Sequence, residues 1–304
     1  MSERCSTASR ARGEPLWATA STVESFLLIE EPGPWGPQVL HSRRLPDAVR
    51  AAMSDWQRRL GIRTLLIRRP GRAVAGTSRI FVANTRHGWV QVTDLEDLAG
   101  VAALDLTGIR GSDGVGLQPH DGPVLLVCTH GRHDPCCAER GRPLAAALAA
   151  RWPDLVWEAS HVGGDRFAGN LVVLPRGDYF GGLDAGDGPG VVDHYLAGGL
   201  NPEFHRGRSS QSWVVQAAVH TARVHAGAFG FEDVVLRGVS GEDSEWRVGL
   251  LVRGRPIEAL VRVSADEAAH LTCHADTPTR PPTYDVTVEE PRHGSWIGSR
   301  AGTT

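Results

Sequence analysis

The 304-residue chain contains no lysine, and its 32 basic residues are all arginine. This absence excludes mechanisms that need a catalytic lysine, including a P-loop nucleotide site and a Schiff base. The 35 acidic residues outnumber the basic ones and give a formal net charge of −3. A dedicated nucleic-acid binder normally carries a basic surplus, so nucleic acid is not an expected partner.

Long apolar runs are also lacking. The first twenty residues have no apolar core of the kind found in secretory signals, and no run approaches the roughly 18 residues that a membrane span requires. We therefore expect a cytoplasmic protein without a membrane partner. The five cysteines are odd in number and lack disulfide-scaffold spacing. In a reducing compartment, clustered cysteines are more often metal ligands or redox thiols.

The order of strand-like and helix-like segments predicts an α/β fold with a repeated unit. The order β, α, β, β, β, α recurs along the chain, with a short helix near Leu95–Leu104 ending the first copy, and this order is that of a thioredoxin-like unit. The last third reads as a helix followed by an antiparallel sheet. The predicted organisation is a disordered tail over 1–20, a degenerate N-terminal α/β unit over 21–115, a thioredoxin-like domain over 118–204, a C-terminal α+β module over 205–290 and a tail over 291–304.

Three of the five cysteines fall within ten residues: Cys128, Cys136 and Cys137. Cys128 ends a strand-like apolar run. Asp134 suits an N-cap and Pro135 the first helical position, which places Cys136 and Cys137 in the first turn of a helix. A helix N-terminus lowers thiol pKa values and favours thiolate, the form that binds metal. The spacing therefore predicts a metal or redox site at one rim of the sheet.

A second segment, from Ser160 to Asn170, follows the next strand-like run. We expect its His161 and Asp165 to converge on the same rim as the cysteines, across a bend at Gly163 and Gly164. The CxxC pairs typical of structural zinc sites and of thioredoxin-type dithiols are absent. Two alternatives nevertheless stay open. One is a thiol-redox protein that uses Cys128, Cys136 and Cys137; the other is a binding protein in which zinc only staples the loop.

These segments resemble the sucrase/ferredoxin-like family. The similarity rests on C-T-H-G-x-x-D-x-x-C at Cys128–Cys137, H-V-G-G-D-R-F-A at His161–Ala168 and G-P-W-G at Gly33–Gly36. It implies a thioredoxin-like ferredoxin domain that carries a 2Fe–2S cluster. Better-understood relatives have C-x8-C followed by H-x3-H. Cys128, Cys137 and His161 match the first three of these positions, and Asp165 stands at the second histidine. Candidates for the fourth ligand are Asp165, Cys136, His130 and His133.

The resemblance implies a one-electron carrier or redox sensor rather than a substrate-transforming enzyme, with a redox partner protein docking at the rim. Imidazole ligation should raise the reduction potential of the cluster, and a carboxylate should lower it again. The sequence shows no carboxylate pair of the glycosidase kind. It gives residues 205–304 no clear role. A homodimerisation or partner-docking module and a pure scaffold are the two interpretations.

Overall fold

A short helix at the N-terminus replaces the disordered tail predicted there. The computed structural model describes residues 4–71 and 76–290, and its first element is α1 (Cys5–Ala11). The segment has no apolar periodicity because the face it buries consists of Cys5, Ser6 and Ser9. Contacts distant in sequence hold it instead: Arg140 donates to Ser6, and Arg10 donates to the carbonyl of Gly182. The predicted tail over 291–304 lies outside the described residues.

Two units of the same topology follow α1. The elements of the first are β1 (Ser25–Glu30), α2 (Asp47–Leu60), β2 (Arg63–Arg68), β3 (Ser78–Asn84), β4 (Trp89–Leu95) and β5 (Gln118–Pro119). Those of the second are β6 (Val124–Cys128), α3 (Pro135–Arg151), β7 (Val156–Ala159), β8 (Leu171–Leu174), β9 (Asp178–Phe180) and α4 (Asp187–Leu196). In each unit the first strand is parallel to the second and antiparallel to the third. This arrangement confirms the predicted α/β fold.

The two units form one continuous sheet because β2 and β7 pair antiparallel, with Ile67 opposite Ala159 and Arg68 opposite Glu158. A further strand, β10 (His205–Arg208), pairs with β9 at the outer edge. The resulting ten-stranded sheet has the order β10-β9-β8-β6-β7-β2-β1-β3-β4-β5. Its central strands β1, β2, β6 and β8 are near-continuous apolar runs, as expected for strands covered on both faces.

The remaining elements are α5 (Trp213–Ala226), β11 (Val234–Glu242), β12 (Glu245–Val252), β13 (Arg255–Ala265) and β14 (Pro282–Glu289). The four strands form a separate antiparallel sheet in sequence order. Buried alanines and valines of α5 pack against its inner face. A helix and an antiparallel sheet are present here, as the sequence predicts. In the part of the chain that the structure describes, no helix is long and apolar enough to cross a membrane.

Candidate metal centre

The strand ends of the second unit position the predicted cysteines. Cys128 is the last residue of β6 and lies opposite Ala159, the last residue of the parallel strand β7. The helix α3 begins with Pro135 after the N-cap Asp134, whose side chain accepts a hydrogen bond from the backbone N–H of Cys136. The predicted cap is therefore present, and it sets Cys137 in the first helical turn.

A glycine inside α3 allows the helix to approach the end of β6. A Cβ atom at Gly141 would overlap the carbonyl oxygen of Cys128. Because glycine has no Cβ, the helix can lie directly against the strand end, and Cys137 comes within reach of Cys128. The close contact between these two backbones fixes the relative position of the two sulfurs.

The loop after β7 brings in His161 and Asp165. Its bend uses Gly163 and Gly164 at φ of 101° and 81°, the left-handed region that glycine enters without strain. A short 3-10 turn, Asp165–Phe167, then turns the chain back towards β8. The predicted role of the glycine pair is thus present in the backbone.

Arg206 holds this loop in place from β10, and sequence reasoning did not find it. Its fully buried guanidinium donates to the carbonyl of Gly163 at 3.0 Å, to the side chain of Asn170 at 2.7 Å and to both oxygens of Thr19. Burial lowers its pKa to about 10. No local pattern marks such a residue, since its partners come from two other segments of the chain.

The donors converge as the spacing predicts. Ligand atoms of Cys128, Cys137 and His161 all lie within 4.8 Å of one another. Asp165 lies beside this group: its Oδ1 is 3.2 Å from Cys137 Sγ and 2.9 Å from His161 Nδ1, but it is not as close to Cys128 as these three donors are to one another. Both cysteines are buried, and 3% of the Asp165 side chain is exposed. We call these four residues the rim site.

The ionisable groups of the rim site shift one another's pKa values. Hydrogen bonding from the Cys137 thiol lowers the pKa of Cys128 well below its usual range, and His161 acts in the same direction. Burial lowers the pKa of His161, but the Asp165 carboxylate and the Cys128 sulfur outweigh it and raise the pKa to about 9. Burial alone would raise the pKa of Asp165, but the neighbouring His161 lowers it below the ordinary carboxyl value. The thiolate form of Cys128 and the carboxylate form of Asp165 are therefore favoured, whereas Cys128 and burial raise the pKa of Cys137, which lies between them and stays a thiol.

One buried nitrogen of the rim site lacks a hydrogen-bond partner. His161 Nδ1 is close to Asp165, but the alignment is not that of a hydrogen bond, and no other group in the described residues bonds to it. Leaving a buried polar atom unpaired is costly. Two thiols, this nitrogen and a carboxylate oxygen make a donor set that suits a thiophilic metal centre.

His130 is not available as a ligand. Its Nε2 donates to the carbonyl of Gly36 at 2.7 Å, and its Nδ1 accepts from the backbone N–H of His161 at 3.2 Å. A carbonyl can only accept and a backbone N–H can only donate, so the tautomer is fixed and both nitrogens are used. The G-P-W-G segment therefore acts here as a support for the site, through the Gly36 carbonyl.

His133 is a further candidate for the fourth ligand, because it lies next to the rim site. Its ring stacks on that of His161, with centroids 3.8 Å apart, and its Nε2 lies 3.8 Å from Asp165 Oδ2. Its Nδ1 faces the carbonyl of Pro37 at 3.2 Å. His133, His161 and Asp165 thus form a second donor group that overlaps the rim site.

Cys136 does not belong to the rim site, which argues against its place as an alternative fourth ligand. Its sulfur groups instead with Cys5, Cys273 and Asp134. The reason is helical geometry: neighbouring residues of a helix point about 100° apart, so Cys136 and Cys137 cannot face the same point.

The fold and these donors agree with a comparison to known families. A family model described as sucrase/ferredoxin-like matches residues 16–207. The chain belongs to the sucrase/ferredoxin-like family. The sucrase/ferredoxin-like match covers the whole rim site and Arg206, whereas Cys5, Cys273 and the separate antiparallel sheet lie outside it. No curated protein and no solved structure matches the chain.

Proposed function

We propose that the protein is a 2Fe–2S protein that acts in one-electron transfer or redox sensing, with Cys128, Cys137, His161 and Asp165 as cluster ligands. The observation that supports this most is the convergence of two buried thiols and an unpaired imidazole nitrogen at one point, with the Asp165 carboxylate beside Cys137 and His161. Four such donors are the number that a 2Fe–2S cluster takes from its protein. When bound, the cluster would supply the one-electron couple.

The protein's own contribution is to hold the donors and to limit access. Cys128 and Cys137 are buried, while the side chains of His161 and His133 are 23% and 31% exposed. The stacked imidazoles are thus the part of the site that a visiting protein can approach. We propose this histidine edge as the place where a reductase or an acceptor protein docks.

The dithiol alternative is less well supported by the geometry. A thioredoxin-type mechanism needs two thiols that can join, but Cys136 and Cys137 belong to different groups. Cys128 and Cys137 do lie together, yet both are fully buried, and exchange with a substrate disulfide requires access. Zinc at the rim site is the competing occupant, and the experiment below separates it from the cluster.

The test is the iron and acid-labile sulfide content of the full chain purified without oxygen, together with its visible absorption and its EPR spectrum after reduction. We expect equal amounts of iron and sulfide, a brown colour and a signal from the reduced cluster. Cys128→Ser and Cys137→Ser should lose them, while Cys273→Ser, a cysteine change outside the rim site, should keep them. Zinc without sulfide in the wild-type protein would overturn the proposal.

A further inference from the structure

Three cysteines meet at a second point of the molecule. Cys5 comes from α1, Cys136 from the first turn of α3, and Cys273 from the loop between β13 and β14. Their sulfurs form a nearly equilateral triangle, with distances of 3.6 Å from Cys5 to Cys136, 3.4 Å from Cys136 to Cys273 and 3.5 Å from Cys273 to Cys5. All three are free thiols.

A buried carboxylate completes this group. Asp134 is fully buried, and its Oδ2 lies 3.7 Å from the sulfur of Cys5. Backbone N–H groups of Cys136 and Cys273 donate to its two oxygens at 2.9 and 2.7 Å, which fixes its orientation. The backbone N–H of Cys5 also points at the sulfur of Cys273, at 3.4 Å. Such donors around ligand atoms are typical of metal sites, where they orient the ligands.

We propose that Cys5, Cys136, Cys273 and Asp134 form a second metal site, separate from the rim site, which binds a single zinc ion or another thiophilic divalent cation. We call it the staple site. Nothing in the family match accounts for it, since two of its three cysteines lie outside residues 16–207.

The triangle has the size of a mononuclear site. Zinc–sulfur bonds of about 2.3 Å in a tetrahedron place the sulfurs about 3.8 Å apart. The three distances here need to widen by only a few tenths of an ångström. Sulfurs that bind different irons of a cluster lie farther apart than this, so the staple site fits one ion. Each thiol that binds releases its proton to solvent.

A disulfide is the competing fate of these thiols. It would require two sulfurs to approach to about 2.05 Å, and it would leave the third thiol without a partner. A single cation accommodates all three sulfurs and the carboxylate together. In a reducing compartment, such a thiol group is more often a metal site than a bridge.

The staple site joins α1 and the β13–β14 loop, two short segments held by few other contacts, to the N-terminus of α3. The helix α1 has only seven residues, and isolated helices of this length are not stable in water. In the β13–β14 loop, Ala269 and Thr279 form one isolated bridge. Because metal-binding free energy becomes folding free energy in such sites, the ion would fix α1 and this loop on the N-terminus of α3.

The test is metal analysis of the reduced full chain, with Cys5→Ser and Cys273→Ser compared with the wild type. Each variant should lose one equivalent of zinc per chain while iron and sulfide stay unchanged. Ser9→Ala, a change on the same helix outside the donor set, should retain the zinc. Cobalt loaded in place of zinc should show the thiolate charge-transfer and tetrahedral d–d bands in the wild type, and should lose them in both cysteine variants.

Limited trypsin digestion gives a second readout that does not depend on metal counting. Cleavage after Arg12 should become faster in Cys273→Ser, although the substitution is far from Arg12 in sequence. Equal zinc in the wild type and both cysteine variants would overturn the proposal, as would a disulfide between two of these cysteines in the reduced preparation. Absence of iron and sulfide would refute the proposed function but not the staple site. Zinc at the staple site is measured as the difference in zinc content between the wild type and the Cys5→Ser and Cys273→Ser variants, whatever the rim site holds.

Discussion

Cys136 and Cys137 are adjacent in the sequence and belong to two different groups of ligand-type side chains. The sulfur of Cys137 lies 3.2 Å from Asp165 Oδ1, whereas that of Cys136 lies 3.4 Å from the sulfur of Cys273. The first turn of α3 therefore contributes one cysteine to each of the two groups. It also divides the five cysteines into two at the rim site and three at the staple site.

The first prediction follows from this division. Cys137→Ser should abolish the iron and sulfide of the rim site, because it removes a cluster ligand. Cys136→Ser should leave both in place and remove the zinc of the staple site. Metal and sulfide analysis of the two variants, prepared in parallel, decides the matter. Full cluster content in Cys137→Ser, together with loss of the cluster in Cys136→Ser, would contradict the prediction and make Cys136 the cluster ligand.

The second prediction concerns the fourth ligand of the rim site. If Asp165 binds the cluster, Asp165→His should keep it and raise its potential, because neutral imidazole replaces a negative oxygen donor. Asp165→Ala should make the cluster labile. Protein-film electrochemistry and the rate of cluster loss in air measure the two effects.

His133→Ala is the matched control for the second prediction, because His133 also lies near Asp165. It should alter the potential only slightly and keep the cluster. An unchanged cluster in Asp165→Ala combined with its loss in His133→Ala would assign the fourth site to His133.

The third prediction tests the contact between α3 and β6. Gly141→Ala places a methyl group against the carbonyl of Cys128, so it should lower the free energy of unfolding by about 1–3 kcal/mol and reduce the metal content of the rim site. Gly190→Ala is the control. It lies in α4 with open space around its Cα, and it should stabilise the protein by about 0.5–1 kcal/mol. Urea denaturation compares the two. An equal gain from both changes would refute the close contact.

The fourth prediction tests the support of the loop by Arg206. Arg206→Lys keeps the charge but cannot make the guanidinium's several hydrogen bonds to Gly163, Asn170 and Thr19. We expect a loss of about 2–3 kcal/mol of stability and a rim site that retains less metal.

Arg208→Lys is the matched control for the fourth prediction. It lies two residues further on the same strand, and its hydrogen bonds go to the carbonyls of Arg176 and Thr85. It should also destabilise the fold, but it should retain the metal. Equal metal loss in the two variants would show that Arg206 acts on the fold in general and not on the loop.

The fifth prediction concerns a buried carboxylate away from both sites. Burial raises the pKa of Asp178, but His205 and Arg176 lower it by more than burial raises it. The net effect is a pKa of about 2, down from 3.8. A carboxyl group whose pKa is lowered on folding stabilises the folded state at pH values above its pKa in the unfolded chain. This stabilisation is lost as the pH falls through the folded-state pKa. Asp178 should therefore contribute about 2 kcal/mol above pH 4, and this should vanish between about pH 4 and pH 2.

The comparison of wild type with Asp178→Asn measures this effect by denaturation at several pH values. The variant should be less stable by about 3 kcal/mol near pH 6, and the difference should shrink towards pH 2. Glu232→Gln, which removes an exposed partner of Arg176, is the control and should change little. A difference that stays constant with pH would contradict the assignment.

Local chemistry explains what the sequence predicted well. Apolar runs and breakers located most strands and helices of both units, though not β5, and Asp134 and Pro135 located the start of α3, because caps and periodicity act over a few residues. The spacing from Cys128 to Cys137 and the segment from His161 predicted a rim site, whose side chains the structure brings together, since adjacent parallel strands end at the same edge of a sheet. The identity of its cofactor stays a prediction.

Only the tertiary structure showed the contacts between distant segments. The sequence alone determined the two α/β units, because caps and periodicity depend on neighbours along the chain, and its motifs indicated which residues to expect at the rim site. The sequence could not show that Arg206 holds the loop after β7 by hydrogen bonds, that His130 donates to the carbonyl of Gly36, or that Cys5–Ala11 forms a helix. Nor could it group Cys5, Cys136 and Cys273, which are separated by 131 and 137 residues. No local pattern encodes these contacts, since they arise only when the packed sheets bring α1 and the β13–β14 loop to the N-terminus of α3.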